Sequence, residues 1–345
     1  MSKLKYFGAY TLPLFGILTF NSTGIIAYLG LIFLYIMVPI LEVIISTDAY
    51  NLNDSERESA KHTTFFDNVL FGMVPLHLIS IYFFLTAVSS QNLILSDLVA
   101  YVLMMGTLLG VIGINLGHEL GHKSDHPLKI FLAHLLLTTS VQNHFMTYHN
   151  AGHHRDVASP ADLTSARAGD NFYVFALKSQ IGGYFKTWKL EAHLLKVQGK
   201  STLLNPMIVF TLLPILLLLS IYSLFGPFTM QCYFISSVLG ISILEAQNYF
   251  AHYGLQRKKL SNGRYEGVKP CHSWNSDHII GRVLLFELTR HSDHHHRGGK
   301  PFQILDSKEQ SPLLPYGYPT MLMLSFFPFL FRPIMKKQLK IYGID

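Results

Sequence analysis

The sequence predicts an all-α membrane protein, six transmembrane helices beneath a cytoplasmic cap rich in histidine. Three observations carry that prediction. Half of the 345 residues are apolar and only 14% are charged, with a mean hydropathy of +0.30, too apolar for a soluble domain of this length. Apolar stretches near the ~20 residues that cross a bilayer recur along the chain. Nine of the 18 histidines fall at short, repeated spacings near the ends of those stretches.

Taken in order, Tyr6–Phe20 is a short apolar run that pairs with Gly24–Ser46 through the polar turn Asn21-Ser22-Thr23. Asn68–Val88 and Leu95–Leu116 make a second hairpin, and Pro206–Phe225 with Phe228–Ala251 a third. The N-terminal Met-Ser-Lys-Leu-Lys before an apolar run resembles a signal peptide, but no small-x-small cleavage site precedes the turn, so the run reads as a retained span. No Lys or Arg occurs between Lys61 and Lys123 or between Lys200 and Arg257. Positive residues are held on the cytoplasmic side of bacterial inner membranes. With both termini inside, all 27 basic residues fall in cytoplasmic segments, and so does every histidine cluster.

The expected organisation is a four-span block over 1–116, a loop over 117–205, a hairpin over 206–252 and a tail over 253–345. Within the loop, Leu128–Ser140 reads as an apolar helix too short to span. Phe172–Lys200, which interleaves aromatics with lysines, reads as an interfacial amphipathic helix. In the tail, Met321–Phe331 lies between Pro319 and Pro333 and is expected to re-enter or pack. Cys232 and Cys271 form no disulfide framework and no metal spacing. The net charge of +6 follows mostly from topology and gives no reason to expect nucleic acid; an acidic protein docking on the cytoplasmic face suits it better.

His118-Glu119-Leu120-Gly121-His122 puts two imidazoles one helical turn apart on one face. By itself this is also the His-Glu-x-x-His pattern of zinc proteases, with the Glu as base. Tyr148-His149-Asn150-Ala151-Gly152-His153-His154 allows His149 and His153 to share a face while His154 points in a neighbouring direction. His291, His294 and His295 repeat the theme, and His252 ends the sixth span. Nine imidazoles exceed what one zinc can use, whereas two metals sharing them would each have four or five nitrogens. Imidazole suits iron, copper, zinc and nickel alike. Iron is favoured because O₂ chemistry needs a metal that changes valence as electrons arrive singly. A protease using only His118, Glu119 and His122 would leave the other clusters idle, and a metal transporter would want more ionisable ligands inside the spans.

Carboxylates are expected to orient imidazoles through the second ring nitrogen. Glu245 and Asn248 share a helical face with His252. Glu287 stands one turn before His291 if that segment is helical, and Asp125 and Asp293 lie beside histidine boxes. His62, His126, His134, His144, His193 and His278 lack a partner at ligand spacing, His296 faces away from its neighbours, and His77 lies inside the third span, where a helix-to-helix hydrogen bond competes with a functional role.

The spacing of the boxes around paired spans resembles the integral-membrane non-haem di-iron oxygenases and desaturases. Tail motifs narrow the likeness: Asn248-Tyr249 with His252-Tyr253-Gly254-Leu255, Gly263-Arg264-Tyr265-Glu266, His272-Ser273-Trp274-Asn275-Ser276, Thr289 to His295, and Gly317-Tyr318-Pro319 are similar to those of the membrane alkane 1-monooxygenases. The resemblance runs from about the second span to Arg332. It implies a di-iron cap with the nine clustered histidines as ligands of two non-haem irons. It also implies terminal hydroxylation of medium or long n-alkanes with O₂, and electrons from a rubredoxin reduced by an NADH-dependent reductase. Xylene-type or fatty-acyl hydroxylation or desaturation on the same fold is the alternative. Departures at Gly121, Glu287 and Cys271 touch no expected ligand. An alkane has no polar handle, so its selection falls to the shape of an apolar channel between the spans.

Overall fold

A computed structural model describes residues 3–90, 93–122 and 126–344, and these are helical throughout apart from loops and two isolated bridges, Lys259 to Tyr265 and Asn275 to Leu313. A tight 3₁₀ run, Lys3–Tyr10, leads into α1 (Thr11–Phe20). The next helices are α2 (Gly24–Ile44), α3 (Asp54–His62), α4 (Phe65–Ser90) and α5 (Leu95–Gly121). Then come α6 (Pro127–Thr139), α7 (145–156) and α8 (Phe172–Val197). Met207–His252 is interrupted at Gly226, giving α9 (207–225) and α10 (227–252). The tail carries α11 (Ile279–Leu284), α12 (His291–His296), α13 (Tyr318–Ser325) and α14 (Pro328–Ile341).

Among the described residues, four stretches are long and apolar enough to cross a membrane: Gly24–Ile44, Phe65–Ser90, Leu95–Gly121 and Thr202–His252. The protein is therefore a multi-pass membrane protein. The last stretch is a hairpin. In a straight helix Thr211 and Glu245 would stand about 50 Å apart. Yet Thr211 shares a 2.8 Å hydrogen bond with Tyr184, and Glu245 accepts one from Gln180, one turn away on α8. The reversal occurs at Gly226, whose φ of 86° lies in the left-handed region that glycine tolerates, and Pro227 then starts α10. Along α9, Val209, Leu212, Leu216 and Leu219 are exposed, a face suited to lipid and not to water.

α5 and α10 form the centre of the bundle. A Cβ on Gly240 would lie 2.9 Å from the Gly110 nitrogen and 3.1 Å from the Gly106 carbonyl oxygen, so small residues let these backbones approach closely. Tyr101 donates to the Ser22 carbonyl (2.9 Å), and Asp97 accepts from the Gly24 nitrogen (2.8 Å), tying the first turn of α5 to the start of α2. α5 continues to Gly121, past the expected end at Leu116, so His118 rides on the spanning helix instead of opening a loop. α8 exposes Val174, Leu177, Ile181 and Phe185 while burying Phe172, Phe175, Ser179 and Gly183, an amphipathic surface helix. α13 and α14 pack: Phe331 lies 4.8 Å from the Tyr249 ring and 5.1 Å from Tyr253, between centroids.

Candidate metal centre

Two helices distort where they carry histidines. α5 widens into a π-turn over Leu109–Ile114, just before His118, and α7 does so over Tyr148–His153. π-turns recur at functional sites because they shift the register of the side chains that follow. Here the shift decides which histidines meet. His149 and His154, five apart, come together, while His153 turns to the other side. The face that α-helical spacing assigns to His149 and His153 is therefore corrected.

The nine histidines form two groups. His118, His122, His149, His154 and His294 make one; His153, His252, His291 and His295 make the other. Every one of the nine expected ligands falls in a group. In the first, Nε2 of His118 lies 2.8 Å from that of His122, 2.9 Å from His149 and 3.2 Å from His294. His154 Nε2 lies 2.9 Å from His149 and 3.2 Å from His294. In the second, His291 Nε2 stands 3.2 Å from His252 and 3.0 Å from His295. Nitrogens held ~2.1 Å from one ion at right angles are about 3 Å apart. So many convergent Nε2 atoms cannot all donate to one another, and the donor set fits a cation at each group.

The protonation states agree. Burial, with neighbouring imidazoles adding to it, holds His149, His291, His294 and His295 well below the ordinary imidazole value and lowers His154 to about 2. They are neutral, the ligating form.

Outer partners fix some rings. His153 Nδ1 lies 2.8 Å from Asp162 Oδ2 and 2.6 Å from Thr164 Oγ1; Thr164 donates to Asp162 Oδ1 (2.8 Å) and Ser165 to Oδ2 (2.6 Å). Burial by itself would raise the Asp162 carboxyl, but His153, Ser165 and Thr164 reverse this and keep it ionised. Sequence reasoning missed Asp162 and Thr164, which follow α7 in an irregular loop where no periodicity applies. His252 Nδ1 faces the His272 carbonyl oxygen at 3.2 Å and Ser273 Oγ at 3.4 Å.

The expected carboxylates lie elsewhere. Glu245 bonds Gln180, and with Asn248 it lines a small polar cavity beside His149 and His153. Glu287 is not on a helix with His291: its φ is +56°, and it accepts from Lys5 (2.7 Å), Tyr6 (2.7 Å) and Arg282 (2.6 Å). Asp293 accepts from the Asp306 nitrogen (2.9 Å) and from Lys300, anchoring the following loop. Asp125 lies outside the described residues. Glu119 accepts from the Phe302 nitrogen (3.3 Å) and belongs to neither metal-capable group, against the zinc-protease reading. His77 makes its 3.2 Å contact with Thr139 across helices.

The tail motif works as scaffold. Trp274 is fully buried and donates to the Tyr253 carbonyl oxygen (2.9 Å), next to His252. Asn275 Oδ1 accepts from the Ser292 hydroxyl (3.1 Å), and the Ser276 nitrogen donates to the Thr289 carbonyl (2.9 Å). Arg290 donates to the Leu305 (2.7 Å) and Tyr50 (2.8 Å) carbonyl oxygens. These bonds dock α12 against α10.

Beneath the groups lies an apolar cavity touching His118, His149 and His291 and walled by residues such as Ile114, Leu244, Phe250, Leu284, Leu288 and Leu322. Its polar neighbours are engaged: Tyr35 pairs with Thr107 (2.8 Å), and Asn115 donates to the Leu285 carbonyl oxygen (3.3 Å).

The family model described as fatty acid desaturase matches residues 96–324. Alkane 1-monooxygenase 1 of Alcanivorax borkumensis is 35% identical over 331 residues, 94% of this chain and 80% of that protein. Alkane 1-monooxygenase of Pseudomonas putida is 34% identical, over 97% of this chain and 85% of its own length. The chain belongs to the fatty acid desaturase family and to its alkane 1-monooxygenases. The xylene/toluene monooxygenase hydroxylase component of Pseudomonas putida is a more distant relative, 28% identical over 69% of this chain and 64% of that protein. The nine histidines form two groups that could each hold a metal ion, and the apolar cavity adjoins them.

Proposed function

We propose that the protein hydroxylates the terminal methyl of medium or long n-alkanes to primary alcohols, using O₂, two non-haem irons held by the two histidine groups, and electrons from a rubredoxin reduced by an NADH-dependent reductase. It does so in a bacterial cytoplasmic membrane, crossing six times, with both termini and the histidine cap on the cytoplasmic side. The observation that carries this reading is the apolar cavity opening onto His118, His149 and His291.

Bound iron supplies the valence change that couples O₂ to electrons delivered singly. The chain supplies the rest. The cavity walls exclude water and select by shape. Pairing of Tyr35 with Thr107 removes the polar groups an alkane could not satisfy. The histidines then face the methyl that reaches deepest. Five nitrogens at one group and four at the other would each hold one ion.

Membranes containing the protein, supplied with rubredoxin, reductase and NADH, are expected to convert octane or hexadecane to the 1-alcohol. The similarity to a xylene/toluene relative makes an aromatic methyl the natural control. Absence of alcohol from either alkane, with turnover of an aromatic methyl or an acyl chain, would overturn the substrate assignment.

A further inference from the structure

The metal-capable groups are met by two cavities, one walled mostly by apolar side chains and one with several polar side chains in its walls. The apolar one reaches His118, His149 and His291 from the bundle interior. The second, small and enclosed, reaches His149 and His153 from the side of α8 and α10, and its other walls include Gln142, Thr164, Ser179, Gln180, Glu245 and Asn248. It has room for about one water molecule. Glu245 is only 2% exposed; one carboxylate oxygen accepts from Gln180, which in turn accepts from Gln142 (2.9 Å). The other oxygen, Oε2, has no well-formed hydrogen bond, although Ser179 and Asn248 stand near the carboxyl. A carboxyl oxygen buried without a donor needs a water or its own proton.

The cavity also lies close to the surface. Thr164 lines it, while Asp162 and Ser165 line a broad cleft shared with Asp170, Lys178 and Arg257; both hydroxyls donate to Asp162. Thr164, in the cavity wall, is thus bonded to Asp162, which lines the cleft.

The reaction proposed above consumes protons. An alkane C–H bond and the O–O bond break, a C–O bond forms, and two electrons from the reduced one-electron carrier together with two protons turn the second oxygen atom into water. We propose that the polar cavity is the proton entrance of the metal centre and that Glu245 is the group that carries protons through it. The division of labour is physical: substrate approaches through the apolar cavity and protons through the one with polar side chains, and the two share walls only at Phe145 and His149. This rests on the oxygenase reading of the site.

The test uses the full-length protein in membranes or detergent. Glu245→Gln keeps the shape and the bond to Gln180 but cannot carry a proton. It is expected to retain wild-type metal content and melting temperature while turnover falls on the order of 10²-fold, with a larger solvent deuterium isotope effect; Glu245→Asp recovers part of the rate. Ser179→Val leaves the carboxyl in place, fills the cavity and is expected to slow turnover with metal content unchanged, so it carries the test if E245Q does not reach the membrane. In metal-free protein, the infrared carbonyl band of a protonated carboxyl is expected in the wild type, to shift in D₂O, and to be missing from E245Q. That arm needs no turnover, so failure of the alkane assignment leaves it readable. Wild-type turnover in E245Q or S179V, loss of metal from E245Q, or a carboxyl band indifferent to D₂O would each overturn the proposal.

Discussion

His252→Ala is expected to lower bound metal from about two ions per chain to about one and to cut turnover by more than ~10²-fold, beyond the range seen for losing an outer partner. The four-histidine group has His252, His291, His295 and His153 only, and His252 is the single member contributed by α10. Its ring is fixed by the His272 carbonyl oxygen, so no neighbour can swing in to replace it. Removal leaves three nitrogens, whereas the five-histidine group is untouched. His122→Ala, by contrast, still leaves four nitrogens in its group, and metal there is expected to persist. Elemental analysis of the purified variants alongside alcohol formation reads both. Full iron content and activity in His252→Ala would show that this residue is not a ligand.

Asp162→Ala is expected to weaken metal binding or activity by about 10- to 100-fold, the usual consequence of removing a carboxylate that orients a ligating imidazole. Asp162 holds His153 Nδ1 at 2.8 Å, which leaves Nε2 to face the group, and it organises Thr164 and Ser165 besides. Asp162→Asn keeps an acceptor for the ring N–H and is expected to lose less. Competition with a chelator measures the affinity directly. Equal affinity in wild type and Asp162→Ala would mean that Thr164, 2.6 Å from the same nitrogen, suffices to hold the ring.

Much of this site was legible from residue spacing, since paired imidazoles at three, four and five residues are local features of a helix. The apolar spans were legible for the same reason, and the reversal between α9 and α10 falls at Gly226-Pro227, in the gap between the expected spans Pro206–Phe225 and Phe228–Ala251. What spacing could not reveal is contact between distant segments. The partition of the histidines depends on the π-turn in α7, which no composition signal announces, and it overturned the expected pairing of His149 with His153. Asp162 reaches His153 from an irregular loop, so neither helical nor strand periodicity points to it. Glu287 looked like a neighbour of His291 only on the assumption of a helix; the left-handed backbone at Phe286 and Glu287 turns its carboxylate toward Lys5, Tyr6 and Arg282 instead. Glu245, expected beside His252, belongs to a polar cavity assembled from α7, α8 and α10, a juxtaposition set by packing.

The central claim is that two separate groups of imidazoles each hold one redox metal. Metal content of the purified wild-type protein tests it most directly. About two irons per chain, both lost together with activity on chelation, is the predicted result; one zinc per chain, with no iron, would contradict it.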